Sequence, residues 1–100
     1  MAGFIGFSLA KRIIQDKNFD VIGIDNINSY YIKKLKLKRL NLLKSSNFKF
    51  YKIDLIEKNK LHNLFKKNNF DVVFNFAAQA GVRYCYENPK SYTNSNIIGF

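Results

Sequence analysis

A glycine-bracketed segment, Gly3-Phe4-Ile5-Gly6, is the first place where residue type and spacing suggest chemistry. Glycines so spaced let backbone N–H groups approach a pyrophosphate, and the N-terminus of a following helix favours its negative charge. A close helix–sheet contact also asks for small residues, so the pair alone leaves both readings open. Asp25 shifts the balance, because it ends the next apolar run, 19 residues after Gly6. A carboxylate there can accept hydrogen bonds from both ribose hydroxyls of NAD and would repel the 2′-phosphate of NADP. The plainer alternative is an Asp that starts a turn before Asn26.

Asp54 also closes an apolar run. At the C-terminal edge of a sheet it could accept from an adenine amino group, or it could simply cap the following turn. Beyond it, Asn75-Phe76-Ala77-Ala78-Gln79-Ala80-Gly81 places small residues after a strand-like run. Such residues would let a flat cofactor lie against the backbone, and ordinary loop packing would read the same way. Tyr30 with Lys34, and Tyr86 with Lys90, match the Tyr-x-x-x-Lys spacing of a base tyrosine and its lysine. With 6 tyrosines in so lysine-rich a chain, matches by chance are expected. The first falls in a loop and the second spans Pro89, so no catalytic residue is assigned. Cys85 has no partner for a disulfide, and His62 has no Cys or second His at ligand spacing, so no metal site is expected.

The elements that must position these residues follow from hydrophobic periodicity. Leu9, Ala10, Ile13 and Ile14 mark a helix opened by the glycine segment. Residues 20–25 read as a buried parallel strand. Residues 33–43 read as helical, with Lys33, Lys34, Lys36, Lys38 and Arg39 on the wet side, and Leu35, Leu37 and Leu40 on the dry one. Residues 48–54 read as a strand, 57–67 as a helix striped by Leu61, Leu64 and Phe65, and 71–76 as a third buried strand. Residues 77–88 are expected to form a loop, and Pro89 suits the first turn of a last helix. This alternation predicts an α/β fold: a partial Rossmann-like, doubly wound parallel sheet whose central first strand is missing. Residues 1–100 are expected to form a partial dinucleotide-binding domain, cut at both ends.

The net charge of +10, from 17 basic and 7 acidic residues, raises a small nucleic-acid-binding module as an alternative. The lysines are scattered, and Lys, Asn and Ile dominate the composition, so a solvated surface is the preferred reading. No run approaches the roughly 20 apolar residues of a membrane span, and no signal peptide is visible. A cytoplasmic protein without nucleic-acid or membrane partners is expected.

Together, Gly3-Phe-Ile-Gly6, Gly23-Ile-Asp-Asn26, Asn28-Ser-Tyr-Tyr31, Asp54-Leu55, Asn75-Phe-Ala-Ala-Gln-Ala-Gly-Val-Arg-Tyr84, Glu87-Asn-Pro89 and Asn96-Ile-Ile-Gly99 resemble the front part of the UDP-glucuronate 4-epimerases. These belong to the extended short-chain dehydrogenase/reductase superfamily. The resemblance covers essentially the whole chain. It implies NAD as cofactor, with Gly3, Phe4, Ile5 and Gly6 at the pyrophosphate, Asp25 and Asn26 at the adenosine ribose, and Asp54 and Leu55 at the adenine. It implies Phe76, Ala77, Ala78 and Gln79 beside the pyrophosphate and nicotinamide ribose, Asn96 pointing at the cofactor, and Arg83 near the carboxylate of a UDP-sugar substrate. The intact protein is expected to be a homodimer that interconverts UDP-glucuronate and UDP-galacturonate by transient oxidation at C4. A dehydratase of the same superfamily is the runner-up. The departures are three: the first glycine of the family's G-x-x-G-x-x-G would precede Gly3 by three positions, Met1 stands where the family has a small residue, and Cys85 replaces a usual serine. The family's catalytic Tyr-x-x-x-Lys lies downstream of the matched region, so the 100 residues alone should be inactive.

Overall fold

The computed structural model describes residues 1–30 and 32–100. Tyr31, one of the paired tyrosines in the resemblance, lies outside the described residues. The elements are α1 (Phe4–Ile13), β1 (Val21–Asp25), α2 (Lys33–Leu42), β2 (Phe48–Lys52), α3 (Lys58–Lys67), α4 (Val82–Glu87), α5 (Pro89–Thr93) and a π-helical turn (Asn94–Ile98). The chain forms two compact units, Met1–Lys52 and Ile53–Phe100.

In the first unit β1 and β2 pair in parallel, in a register from Val21 opposite Phe48 to Asp25 opposite Lys52. A parallel pair needs a crossover, and α2 supplies it. Gly6, Ala10 and Ile14 recur at i, i+4 and i+8 along α1, and all three are buried. Ala10 and Ile14 form the core with Leu43, and Met1, Phe7, Val21 and Phe48 pack against it.

The face of α2 departs from expectation. Lys36 is only 6% exposed, while Leu35 and Leu37 are 42% and 52% exposed. Residues two apart do not share a helical face, so Leu35 and Leu37 could not both point inward. The inward stripe is Lys36, Arg39, Leu40 and, past the helix end, Leu43, which follows the 3.6-residue period.

In the second unit, Ile53 and Leu64 are buried, and Phe65 meets Phe70 edge-on with ring centroids 5.0 Å apart. Residues 82–87, expected as loop, are helical, and Gly81 before them has a φ of 96°, a backbone state that favours glycine. Pro89 opens α5 as expected, and the Asn88 side chain caps that helix by accepting from the Ser91 N–H at 3.2 Å.

The expected third strand is not formed: residues 72–76 carry no ladder among the described residues. A strand is defined by its hydrogen-bonded neighbour as well as by its own apolar run. Val72, Val73, Phe74 and Phe76 are exposed, and the Phe74 and Phe76 rings stack nearly parallel at 5.9 Å. Side chains two apart share a side in an extended backbone. Among the described residues, no helix is long and apolar enough to cross a membrane.

Candidate cofactor-binding site

In the first unit, the glycine segment and Asp25 are brought side by side. The Ala2 N–H donates to Asp25 Oδ2 at 2.9 Å, and the Met1 ammonium lies 3.2 Å from the same oxygen. Asp25 Oδ1 accepts from the Ile27 N–H at 2.8 Å and from Lys36 Nζ at 3.2 Å. Lys36 also donates to Asn28 Oδ1 at 3.0 Å. The Asn28 N–H in turn donates to Asn26 Oδ1 at 3.1 Å, so two Asx turns overlap after β1. Between them Ile27 takes a φ of 53°, strained for a β-branched residue. Strain of that kind persists only where surroundings over-determine it, and here Asp25 and Lys36 supply the constraint. From α2, Arg39 donates to the Ala2 carbonyl at 3.3 Å and lies over the Phe7 ring at 5.8 Å.

Burial acts to raise the pKa of Asp25, but the Ile27 N–H and the charges of the Met1 ammonium and Lys36 outweigh it. The carboxyl therefore titrates below its ordinary value and is ionised at neutral pH.

The glycines differ in what surrounds them. A Cβ on Gly6 would come within 3.1 Å of the Met1 carbonyl oxygen and 3.2 Å of its Cα, so a side chain there requires the Met1 backbone to give. A Cβ on Gly3 would meet nothing within 4 Å, and Gly3 has an ordinary extended backbone, with φ −71° and ψ 174°. Packing does not demand the glycine at position 3, which serves the chain as a favoured N-cap residue. As the N-cap of α1 it offers no side-chain acceptor, and the first turn carries no acidic residue.

In the second unit, Asp54 behaves as the turn-capping alternative predicts: its Oδ1 accepts from the Ile56 N–H at 3.2 Å, and its own N–H donates to Glu57 Oε2 at 3.0 Å. Leu55 meets the π-helical turn, where a Cβ on Gly99 would lie 2.9 Å from Leu55 Cβ. Phe76, Ala77 and Ala78 are exposed, whereas Gln79 is 5% exposed. The Gln79 N–H donates to Asn96 Oδ1 at 2.7 Å, and Asn96 Nδ2 donates to the Gln79 carbonyl at 3.1 Å. The Asn96 amide is thus turned onto the loop. Arg83 is exposed on α4.

The two Tyr-x-x-x-Lys matches do not lie within single helices. Tyr86 and Lys90 belong to different helices, and Tyr30 precedes α2 whereas Lys34 lies within it. No group of His, Cys, Asp and Glu that could hold a metal occurs among the described residues. Sequence reasoning missed Lys36, whose charge marked it for the surface, and Ala2, which acts only through its backbone.

A glycine turn opening a helix, a parallel strand ending in a carboxylate, and a crossover helix between two strands define a Rossmann-type dinucleotide-binding fold. The chain belongs to the family described as GDP-mannose 4,6 dehydratase, which matches residues 1–100. Protein CapI of Staphylococcus aureus is 48% identical over 99 residues, covering 99% of this chain and 29% of that protein. A UDP-glucuronate 4-epimerase of Thermodesulfobacterium geofontis is 43% identical over 100 residues, covering 99% of this chain and 31% of that one. Among solved structures, a UDP-glucuronic acid 4-epimerase variant from Bacillus cereus, in complex with UDP-4-deoxy-4-fluoro-glucuronic acid and NAD, superposes with a TM-score of 0.87. It is 30% identical, and the match covers 98% of this chain and 31% of that one. The chain spans about 30% of the length of the curated relatives it matches.

Proposed function

We propose that this chain forms the NAD-binding part of a nucleotide-sugar 4-epimerase acting on UDP-glucuronate. The observation that carries the reading is Gly3: it leaves open space beside a helix N-terminus that no side chain caps. A pyrophosphate would fill that space and meet the uncapped first turn of α1. The ionised Asp25 would receive the adenosine ribose. Its two 3.2 Å partners, the Met1 ammonium and Lys36, are the ones ribose hydroxyls would displace, while the shorter backbone bonds from Ala2 and Ile27 hold the carboxylate in place.

Asn26 would line the ribose, Asp54 and Leu55 the adenine, and the exposed Phe76-Ala77-Ala78 stretch the rest of the dinucleotide. Bound NAD would supply reversible hydride transfer at C4 of the sugar. Arg83 would meet the substrate carboxylate with paired hydrogen bonds. We propose a homodimer in the cytoplasm for the intact protein, the assembly to be checked by light scattering. The family's description as a dehydratase favours a second reading, dehydration of another nucleotide sugar.

Two experiments test this. Titrating NAD and NADP against the chain is expected to favour NAD, and Asp25→Asn to erase the preference; equal affinity for the two would sink the assignment. A chimera in which residues 1–100 replace the matched segment of the Thermodesulfobacterium epimerase is expected to turn over UDP-glucuronate. In that chimera Arg83→Lys should weaken UDP-glucuronate more than UDP-glucose, and a 4-keto-6-deoxy product would favour the dehydratase reading.

A further inference from the structure

We infer that Asn96 is a positioning residue that works through the Gln79 peptide and does not touch the cofactor itself. The argument starts from the loop. Residues 77–81 belong to no helix or strand, so their backbone groups need partners from elsewhere. Gln79 is the buried member, and a buried orphan N–H or C=O is costly. Asn96 meets both needs with one planar amide: Oδ1 accepts from the Gln79 N–H at 2.7 Å and Nδ2 donates to the Gln79 C=O at 3.1 Å. This two-point contact reproduces what a neighbouring strand would offer.

It also fixes the amide's orientation, because a flipped Asn96 would oppose donor to donor and acceptor to acceptor. Two further bonds hold the Gln79 side chain: Ser91 Oγ to Oε1 and Nε2 to the Ala80 carbonyl, both at 3.3 Å. The exposed Ala77 and Ala78 precede a peptide that is held at every polar atom. Asn96 itself lies in the π-helical turn, closed by the Gly99 N–H donating to the Asn94 carbonyl at 2.8 Å. A π-turn rotates the side chains after it relative to an ordinary helix, and such turns recur at functional sites.

The consequence rests on the cofactor reading above: Asn96 sets the height and tilt of the Ala77–Gly81 platform. An ionised aspartate at position 96 keeps the acceptor for the Gln79 N–H but turns a second acceptor onto the Gln79 carbonyl. A protonated one restores the donor. Asn96→Asp therefore converts the clamp into one that closes only in acid. On the helices beside it Glu87 is the carboxylate and Arg83 and Lys90 the cations, and Asp54 adjoins Leu55, which meets the π-helical turn.

The test is amide hydrogen exchange on the 100-residue chain, corrected for intrinsic pH dependence, with the Leu64 amide of α3 as the reference for global opening. Asn96→Ala is expected to lower Gln79 protection roughly tenfold or more, with Leu64 unchanged. Asn96→Asp in a Glu87→Gln background should show near-native Gln79 protection below about pH 4 and lose it as the carboxyl ionises. NAD affinity, where the chain binds it, should follow the same profile when expressed at each pH relative to the Glu87→Gln parent. Gln79 protection that ignores both substitutions overturns the inference, as does NAD affinity that falls while Gln79 protection stays native. A chain that binds no NAD, with Gln79 behaving as described, refutes the cofactor reading and leaves the clamp standing.

Discussion

Lys36 Nζ lies 3.2 Å from Asp25 Oδ1, with only 8% and 12% of the two side chains accessible to solvent. Removing one member of a sealed ion pair leaves the other charge uncompensated. The two members are not equal here, because Asp25 keeps the Ile27 and Ala2 N–H groups whereas Lys36 keeps only Asn28 Oδ1 among the acceptors described. Lys36→Met is expected to cost about 1–3 kcal/mol, and Asp25→Asn more than that. Urea denaturation of both single variants and the double variant measures the coupling; a coupling indistinguishable from zero would refute the pair's role in stability.

Acid should expose the same relationship. The carboxyl of Asp25 titrates below its ordinary value of 3.8 in the folded chain. A depressed carboxylate pKa stabilises the fold above the unfolded-state value, and that stabilisation is lost as pH falls through the folded one. The urea midpoint should therefore drop as pH falls below about 4, and Asp25→Asn should flatten that part of the profile. Parallel profiles for the two proteins would contradict the assignment.

Asn47 ties the first unit together away from the site. Its Nδ2 reaches the carbonyls of Phe19 at 2.9 Å, Asp16 at 3.2 Å and Ile14 at 3.3 Å. Its Oδ1 accepts from Lys17 Nζ at 3.0 Å and Ser45 Oγ at 2.6 Å. Asn47→Ala would remove the amide donor to the Phe19 carbonyl and one of two donors to the Ile14 and Asp16 carbonyls, and is expected to cost about 1–2 kcal/mol. Ser46→Ala, at the exposed neighbouring position, should fall within about 0.5 kcal/mol of the parent. Chemical denaturation of the two variants separates the outcomes.

Gly3 and Gly99 offer a contrast between binding and folding. A Cβ on Gly99 would sit 2.9 Å from both the Asn94 carbonyl oxygen and Leu55 Cβ, so Gly99→Ala should destabilise by about 1–3 kcal/mol. Gly3→Ala meets open space and should cost no more than about 1 kcal/mol, the difference between glycine and alanine at an N-cap, while weakening NAD. Thermal melts and NAD titration on both variants check this. A Gly3→Ala chain that binds NAD as the parent does removes the main support for the pyrophosphate site.

Much of the first unit is legible in the sequence because its determinants are local. The strand ending at Asp25, the helix begun by the glycine segment and the turn into β2 each declare themselves through spacing and end signals. What escapes is relational. Residues 71–76 have a strand's composition, but strand formation depends on a neighbour that composition does not reveal. Val82–Glu87 makes less than two turns, too short for a periodicity to register. Lys36 is hidden by the habit of assigning lysine to the surface, although its spacing to Leu40 and Leu43 places it on the inward stripe. For Asn96 the sequence gives the position; which backbone atoms its amide meets emerges only from the fold.

The bare run from Val72 to Phe76 bears on how copies of the chain behave toward one another. Largely apolar, β-prone and without a ladder partner among the described residues, it favours edge-to-edge contact between molecules. The charge of +10 opposes that contact at long range. At low ionic strength the repulsion reaches tens of ångströms, and near 0.1 M salt it shrinks to about 10 Å. Ionic strength is therefore the control for colloidal behaviour: light scattering should record a second virial coefficient that passes from positive to negative as salt is added. Phe74→Lys should move that crossing to higher salt.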